Sequence, residues 1–209
     1  MVSAQCNGPL ANEGQWNHML NLVRFDGHFY AVDVGMGAMG PLIPYSLEDG
    51  LEMVSVAPRK IRLQLRTIAE HGTLDKSKAQ KLWCYDVCYK PQSPASSSPE
   101  DNWIPTYCFT ETEFLPQDYE MMSWFTSTHR TSFFTYCVLT TKLIMDEAGE
   151  KIIGDRTLFG NGMRTTIGGR REALKFETEQ ARVEALKDLF QVELTEEEQA
   201  GISPGMRIS

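Results

Sequence analysis

Two residues whose side chains could share a proton, His18 and Asp33, stand 15 positions apart on either side of Asp26-Gly27. Asp-Gly typically forms the two-residue turn of a β-hairpin, and alternating strand-like segments flank it here. In that hairpin His18 and Asp33 lie on one face as diagonal neighbours, with Cα atoms about 7–8 Å apart. A carboxylate that orients an imidazole is two-thirds of a nucleophile–His–Asp triad. The alternative is a structural His–Asp bond within a sheet.

A glycine-rich segment, GMGAMG at 35–40, directly follows the Asp. It matches the dinucleotide-binding pattern GxGxxG, in which the last glycines open a helix that receives a pyrophosphate. Here Pro41 and Pro44 follow at once and favour a loop, and no β-α-β pattern surrounds the motif. We therefore expect the glycines to form a tight turn after the strand and to allow another group to approach the backbone closely.

Composition excludes several classes of protein. The chain has 209 residues and a net charge of -8, without a cluster of Lys or Arg, so nucleic acid is not an expected partner. Neither a secretion signal nor an apolar run of about 18 residues occurs, which predicts a cytoplasmic protein without a membrane span. Cys84 and Cys88 belong to the strand-like LWCYDVCY and would stand about 13 Å apart, too far to share a metal. No metal is expected.

The coarse element pattern predicts an α+β fold with antiparallel sheet, because strands dominate early and a helix arrives late. Predicted strands include 60–67, 82–89, 133–143, 150–159 and 163–167. We expect a short helix over 114–124, a second that begins after Thr178, and a last one with a Thr195–Glu198 capping box that ends at Gly201. Three Pro and four Ser in residues 91–101 predict a mobile loop.

Several segments together resemble the arylamine N-acetyltransferase family. NHMLNLV from Asn17, and YAVDVGMG from Tyr30, are similar to the His and Asp segments of that family, which have the same spacing of 15. The stretch WFTSTHRTSF from Trp124 resembles the family's STHPSSxF segment, and the acidic helix ending near LKDLFQVEL also fits. This similarity favours the catalytic interpretation of the His–Asp pair over the structural one.

The resemblance implies an enzyme of xenobiotic metabolism that passes an acetyl group from acetyl-CoA to a cysteine and then to an arylamine or hydrazine nitrogen. His would activate the thiol and Asp would hold the imidazole. The implied catalytic residues are His18 and Asp33, the substrate-binding residues Met36 and Gly37, and the cofactor-binding residues Ser127, Thr128 and Ser132. Implied domains are a β-barrel over 1–113, an interdomain segment over 114–132 and an α/β lid over 133–209.

The sequence departs from the family's pattern at the nucleophile. The family carries it in an RGGxC-type motif within a helical first domain, and this motif does not occur in the sequence. Cys6 is a poor substitute, since it lies in a segment rich in Gly, Pro and Asn rather than at a helix start. We expect a truncated member, through an incorrectly placed Met1 or the loss of a domain; the apolar face left open would favour an oligomer or a covering partner.

Two alternatives to an active acetyltransferase stay open. The first is a non-catalytic barrel–lid remnant that binds CoA or a protein partner. The second is another hydrolase or transferase of the wider transglutaminase-like class, which shares the Cys-His-Asp order.

Overall fold

The computed structural model describes residues 2–6, 16–68, 72–89 and 103–208, with only the backbone for residues 2–6. The predicted loop at 91–101 lies outside the described residues. Two compact units, Met1–Ser127 and Thr128–Ser209, make up the chain and are described separately. In the described ranges, no helix combines the length and apolar character needed to cross a membrane.

The first unit is built on an eight-stranded sheet in which all neighbours are antiparallel, with the order β4-β3-β2-β1-β8-β7-β6-β5. Its strands are β1 Val2–Cys6, β2 Trp16–Phe25, β3 His28–Val32, β4 Tyr45–Ser46, β5 Leu51–Val54, β6 Lys60–Arg66, β7 Leu82–Cys88 and β8 Trp103–Phe109. Helix α1, Pro116–Thr128, follows the sheet. Its start lies two residues later than expected, at a Pro, whose fixed φ and missing N–H suit the first helical position.

The hairpin of β2 and β3 has the predicted register. Phe25 pairs with His28 and Asn21 with Val32. Asp26 and Gly27 both have positive φ, +48° and +79°, as a type I′ turn requires. The turn thus fixes which residues of the two strands lie opposite each other, and it does so as the Asp-Gly pair indicated.

The sheet curls, but closure into a barrel is not found among the described residues. Strands β4 and β5 stay as its two edges. Even so, the hydroxyl groups of Tyr45 on β4 and Tyr107 on β8 are 3.0 Å apart. Strands that are not neighbours in the sheet therefore pack against the same core. The predicted β-barrel is therefore not confirmed, and the described strands form a curled open sheet whose edge strand β4 is only two residues long.

Alternation along the central strands separates two faces of this sheet. The inner face carries a largely aromatic core that includes Tyr85, Val87, Tyr107 and Phe109. The opposite face carries a smaller cluster of Leu82, Cys84 and Cys108. Strand β7 is buried on both faces along its whole length, which explains why its residues are apolar or aromatic except for Asp86.

The second unit contains a four-stranded antiparallel meander in the order β12-β11-β10-β9. Its elements are β9 Leu139–Met145, β10 Ile152–Phe159, β11 Gly162–Ile167, β12 Arg170–Lys175, α2 Glu179–Ala185 and α3 Glu196–Gly201. The Thr195–Glu198 capping box is confirmed, and the Thr178 hydroxyl accepts a hydrogen bond from the Ala181 amide as the cap of α2. The helix after Thr178 continues directly from α2 into a π-helical turn, Leu186–Phe190, so the helical segment extends to residue 190.

Two predictions in the second unit were wrong. The strand expected over 133–143 begins only at Leu139, because Phe133–Thr135 forms a 3-10 turn in which the Ser132 carbonyl accepts bonds from the amide and hydroxyl of Thr135. Strand β12 was not anticipated. All of its residues are exposed, so no alternation of apolar and polar residues marks it in the sequence.

Candidate active site

The hairpin brings His18 and Asp33 into direct contact. His18 lies on β2, Asp33 is the first residue after β3, and Nε2 of the imidazole is 2.9 Å from Oδ2 of the carboxylate. The second carboxylate oxygen accepts the Gly35 amide at 2.9 Å. The Asp33 side chain is fully buried, whereas 14% of the His18 side chain is exposed. Because the carboxylate accepts hydrogen bonds, Nε2 carries the proton, and Nδ1 is the ring nitrogen that can receive one.

Gly35 allows this pair to form. A Cβ atom at position 35 would lie 2.8 Å from Cε1 of His18, closer than side chains tolerate. The imidazole therefore packs directly against the backbone of residue 35. This is the close approach that the glycine-rich segment predicted.

A group of three buried tyrosines, Tyr45, Tyr85 and Tyr107, lies beneath the pair. The His18 ring centroid is 5.5 Å from that of Tyr107, which stacks on Tyr85 at 4.6 Å with planes 8° apart. Burial raises the pKa of all three phenols well above the ordinary value, and the nearby charge of Asp33 raises each pKa further. The phenols are neutral at physiological pH and shield Asp33 from water on this side.

The predicted substrate-binding residues lie in the turn after Asp33. Met36 is half-buried and packs on the aromatic core, and exposed Gly37 opens a short 3-10 turn, Gly37–Met39. Gly37 has a φ of +56°, a conformation that favours glycine. The turn is thus continuous with the His–Asp pair. A role in binding an amine stays a prediction.

The predicted cofactor-binding residues lie at and after the end of α1. The Ser127 hydroxyl donates to the Ser123 carbonyl at 2.7 Å, within the helix. Thr128, the last residue of the helix, is exposed, and Ser132 is buried before the 3-10 turn. Their contact with CoA stays a prediction.

The cysteines of β7 and β8 do not lie beside His18. Cys84, Cys88 and Cys108 occupy alternate positions on the face opposite the tyrosines, and all three are buried. Cys137 belongs to the second unit, where burial raises the pKa of its thiol. The side chain of Cys6 lies outside the described residues. The three cysteines of β7 and β8 are therefore excluded as the thiol partner of His18.

A cavity of about 380 Å³ opens on the first unit and is lined by Trp83, Phe109 and Glu111, among others. Successive strand pairings connect His18 through Ala4 to Phe109 and then to Trp83, which places the cavity along the row of the sheet that holds the imidazole. The Trp83 indole donates to Glu111 at 2.9 Å.

In the described part of the chain, no group of three or more His, Cys, Asp and Glu side chains is arranged to hold a metal.

The sequence predicted the contact between His18 and Asp33 but not the tyrosines that surround it. The tyrosines stand in aromatic strands whose alternation indicated only burial. Tyr45 comes from a two-residue strand without any periodic signal. A signal for Tyr85 and Tyr107 existed, since they are polar-tipped aromatics at inward positions, where a buried hydroxyl needs a partner.

The proteins to which this chain is similar are N-acyltransferases. A family model described as N-acetyltransferase matches residues 1–199. The N-malonyltransferase FDB2 of Fusarium pseudograminearum is 53% identical over 195 residues, which is 93% of this chain and 56% of that protein. The arylamine N-acetyltransferase of Mycobacterium abscessus superposes with a TM-score of 0.75 at 18% identity, over 95% of this chain and 62% of that one. The arylamine N-acetyltransferase of Mycobacterium marinum in complex with CoA superposes with a TM-score of 0.70 at 23% identity. The match covers 99% of this chain and 65% of that one.

The chain therefore spans just over half the length of the curated relative that it matches. The solved structures share its fold at low identity. The family model extends over nearly all of the sequence, in agreement with the segments around His18 and Asp33. This chain belongs to the arylamine N-acetyltransferase family.

Proposed function

We propose that this chain provides the proton-transfer site of a thiol-dependent N-acyltransferase that moves an acyl group from acyl-CoA to a small-molecule amine. The observation that carries the proposal is the 2.9 Å contact between Nε2 of His18 and the buried carboxylate of Asp33. This contact fixes the imidazole tautomer so that Nδ1 is the basic atom. His18 is also partly exposed, so that a thiol can reach it.

The reaction has two steps that both use the imidazole. Nδ1 of His18 accepts the thiol proton, the thiolate attacks the thioester carbonyl, and the proton passes to the CoA thiolate that leaves. An amine then attacks the acyl-thiol, gives up a proton to His18, and the released thiolate takes that proton back. Asp33 holds the ring in position and stabilises the imidazolium in both steps.

The thiol in this proposal comes from polypeptide beyond these 209 residues. The three cysteines of β7 and β8 lie on the face opposite His18, and the RGGxC motif is absent from the sequence. We assign the thiol to a segment equivalent to the part of the curated relative that this chain does not match.

The remaining predicted assignments belong to the same proposal. The domain assignment is part of the same proposal: residues 1–113 form the domain of the curled sheet, 114–132 the interdomain segment and 133–209 the α/β lid. Met36 and Gly37 border the amine, and Ser127, Thr128 and Ser132 border CoA.

The favoured acyl group is malonyl. The curated relative, which shares 53% identity with this chain, is named an N-malonyltransferase, whereas the solved arylamine N-acetyltransferases are below 25% identical. A bound CoA in the Mycobacterium marinum structure supports an acyl-CoA donor in general. Acetyl transfer to an arylamine, which the sequence resemblance implied, is the competing specificity.

The test joins this chain to the unmatched segment of the Fusarium pseudograminearum N-malonyltransferase FDB2. We expect the joined protein to acylate aromatic amines, faster with malonyl-CoA than with acetyl-CoA, and the His18→Ala variant to lose this activity. His28→Ala is the matched control, because His28 is exposed at the start of β3. Binding of CoA without acyl transfer, or full activity in His18→Ala, would contradict the proposal and favour the non-catalytic alternative.

A further inference from the structure

Three consecutive backbone carbonyls after the His–Asp pair are each bound by a different buried side chain. Nη1 of Arg59 donates to the carbonyl of Ala38. The Tyr85 hydroxyl donates to the next carbonyl, that of Met39, at 2.9 Å. The Ser55 hydroxyl donates to the carbonyl of Gly40 at 3.3 Å. The turn over 38–40 is thereby held by side chains along its whole length.

The three donors are fixed in place by the sheet. Ser55 and Arg59 belong to the turn between β5 and β6, where the Ser55 amide donates to the Arg59 carbonyl at 3.0 Å. The Arg59 guanidinium lies 5.2 Å above the ring of Tyr89. Tyr85 is held by its stack on Tyr107. Because all three donors are buried, water does not readily replace a bond that one of them loses.

The same turn is connected to the catalytic pair through Gly35. The Gly35 amide binds Asp33, and the Gly35 backbone lies against the His18 ring. Between Gly35 and the three carbonyls stands Met36, which packs on the aromatic core. A shift of the 38–40 turn therefore moves the amide that holds Asp33, and Asp33 in turn holds the imidazole.

We infer that Arg59 and Tyr85, assisted by Ser55, are positioning residues that hold the His18–Asp33 pair in its reactive geometry through the carbonyls of residues 38–40. Arg59, Tyr85 and Ser55 form what we call the carbonyl clamp. The catalytic meaning of the clamp depends on the proposed acyl transfer, whereas its effect on the pair is a property of this chain alone.

Tyr85→Phe is the most selective variant, because it removes one hydroxyl and keeps the ring that stacks on Tyr107. Tyr119→Phe is the matched control. Its hydroxyl lies in the same unit and has no hydrogen-bond partner among the described residues. Both variants lose one oxygen atom, but only the first removes a bond to the 38–40 turn.

The first measurement uses the chain alone. In Tyr85→Phe we expect amide hydrogen exchange at residues 35–40 to accelerate about three- to tenfold, which is the effect of losing one buried hydrogen bond. We also expect the nitrogen chemical shifts of His18 to move from one fixed tautomer towards a mixture of two. Unchanged exchange and an unchanged tautomer in a folded Tyr85→Phe would overturn the inference. Tyr119→Phe should match the wild type in both.

The second measurement uses the joined protein described above. Tyr85→Phe should lower kcat about tenfold and change KM for the amine less than twofold, since the clamp acts on the pair that transfers protons. A rise in KM with kcat unchanged would contradict the assignment. If the wild-type joined protein is inactive, the proposed function fails, and the exchange and tautomer results still decide the inference about the clamp.

Arg59 provides a test by conservative rescue. Arg59→Met removes the donor and keeps an unbranched side chain, and should accelerate exchange at residues 35–40 more than Tyr85→Phe does. Arg59→Lys retains a cationic donor and should restore part of the wild-type exchange rate and tautomer. If Arg59→Met does not fold, Ser55→Ala replaces it, with a smaller acceleration expected at the same amides. Equal exchange in Arg59→Met and Arg59→Lys would contradict a role for the bond to Ala38.

Discussion

Asp33 and Asp86 are two buried aspartates that the same sheet places on opposite faces and pairs with different partners. Asp33 accepts one imidazole and one backbone amide on the tyrosine-lined face. Asp86, on β7, accepts the guanidinium groups of Arg62 at 2.9 Å and Arg66 at 2.8 Å. Both carboxylates are almost inaccessible to solvent.

The partners decide what each carboxylate can do. Arginine does not lose its proton in proteins, so the Asp86 cluster holds charge in place and cannot transfer it. Arg62 is fixed further by the Trp103 ring, 4.7 Å from its guanidinium. An imidazole can both accept and donate a proton, so the Asp33 pair can transfer one. Burial and pairing alone therefore do not identify a catalytic carboxylate.

The largest expected contrast between the two sites is in catalysis. Asp33→Asn should lower kcat of the joined protein by about 10³–10⁴-fold, because the imidazole loses the acceptor that fixes its tautomer. Asp86→Asn should lower kcat of the joined protein less than tenfold, when kcat is calculated for the folded fraction. Steady-state acyl transfer to an aromatic amine measures both variants. Equal losses would show that the two carboxylates do not differ as their partners indicate.

Stability should show the opposite order. Asp86→Asn leaves two guanidinium groups beside a neutral amide and should lower the free energy of unfolding by about 3–5 kcal/mol. Asp33→Asn keeps an oxygen acceptor for the Gly35 amide and should cost about 1–2 kcal/mol. Urea unfolding of the 209-residue chain, followed by circular dichroism, measures the difference. A greater loss in Asp33→Asn would contradict it.

Gly35 tests how tightly the Asp33 site is packed. Gly35→Ala places a Cβ atom 2.8 Å from the His18 ring and should displace the imidazole, lowering kcat of the joined protein by about 10²-fold. Gly72→Ala is the control, because its Cβ meets no atom within 4 Å. Unaltered activity in Gly35→Ala would mean that the ring does not need its observed position.

The smallest expected contrast between the two aspartates appears at alkaline pH. Burial raises the pKa of Tyr45, Tyr85 and Tyr107 in the folded chain, so the unfolded chain releases these protons first as pH rises. The free energy of unfolding should be unaffected below about pH 10 and should fall above it, by about 1.4 kcal/mol per pH unit for each tyrosine.

Absorbance of tyrosinate and urea unfolding between pH 9 and about pH 12 together check this prediction, since unperturbed tyrosines titrate near 10. Loss of the Asp33 charge in Asp33→Asn should shift the buried phenols to slightly lower pKa values, whereas Asp86→Asn should not. Titration of every tyrosine near pH 10 in the folded wild type would contradict the burial of the three phenols.

The parts of the site that the sequence predicted depend on local rules. The Asp26-Gly27 turn defines a register that extends along both strands, so the contact between His18 and Asp33 follows from residues within one hairpin. The Thr195–Glu198 cap is local in the same way. Such features can be predicted because few residues, close in sequence, determine them.

The parts that could not be predicted depend on the curl of the whole sheet. The pairing of the Tyr45 and Tyr107 hydroxyls joins residues 62 positions apart in the chain. The bond from Tyr85 to the Met39 carbonyl spans 46 positions. Neither contact leaves a periodic signal, because each joins parts of the chain that are distant in sequence and meet only across the core of the sheet. Closure of the predicted β-barrel likewise depends on the curl of all eight strands, and it is not found among the described residues.

The central claim is that His18 is the group that transfers protons in acyl transfer. The most direct measurement is chemical rescue of the His18→Gly variant of the joined protein by free imidazole. We predict that the variant is inactive with malonyl-CoA and an aromatic amine, and that added imidazole restores activity in a saturable manner that requires Asp33. A His18→Gly variant that acylates the amine at the wild-type rate without imidazole would contradict this account.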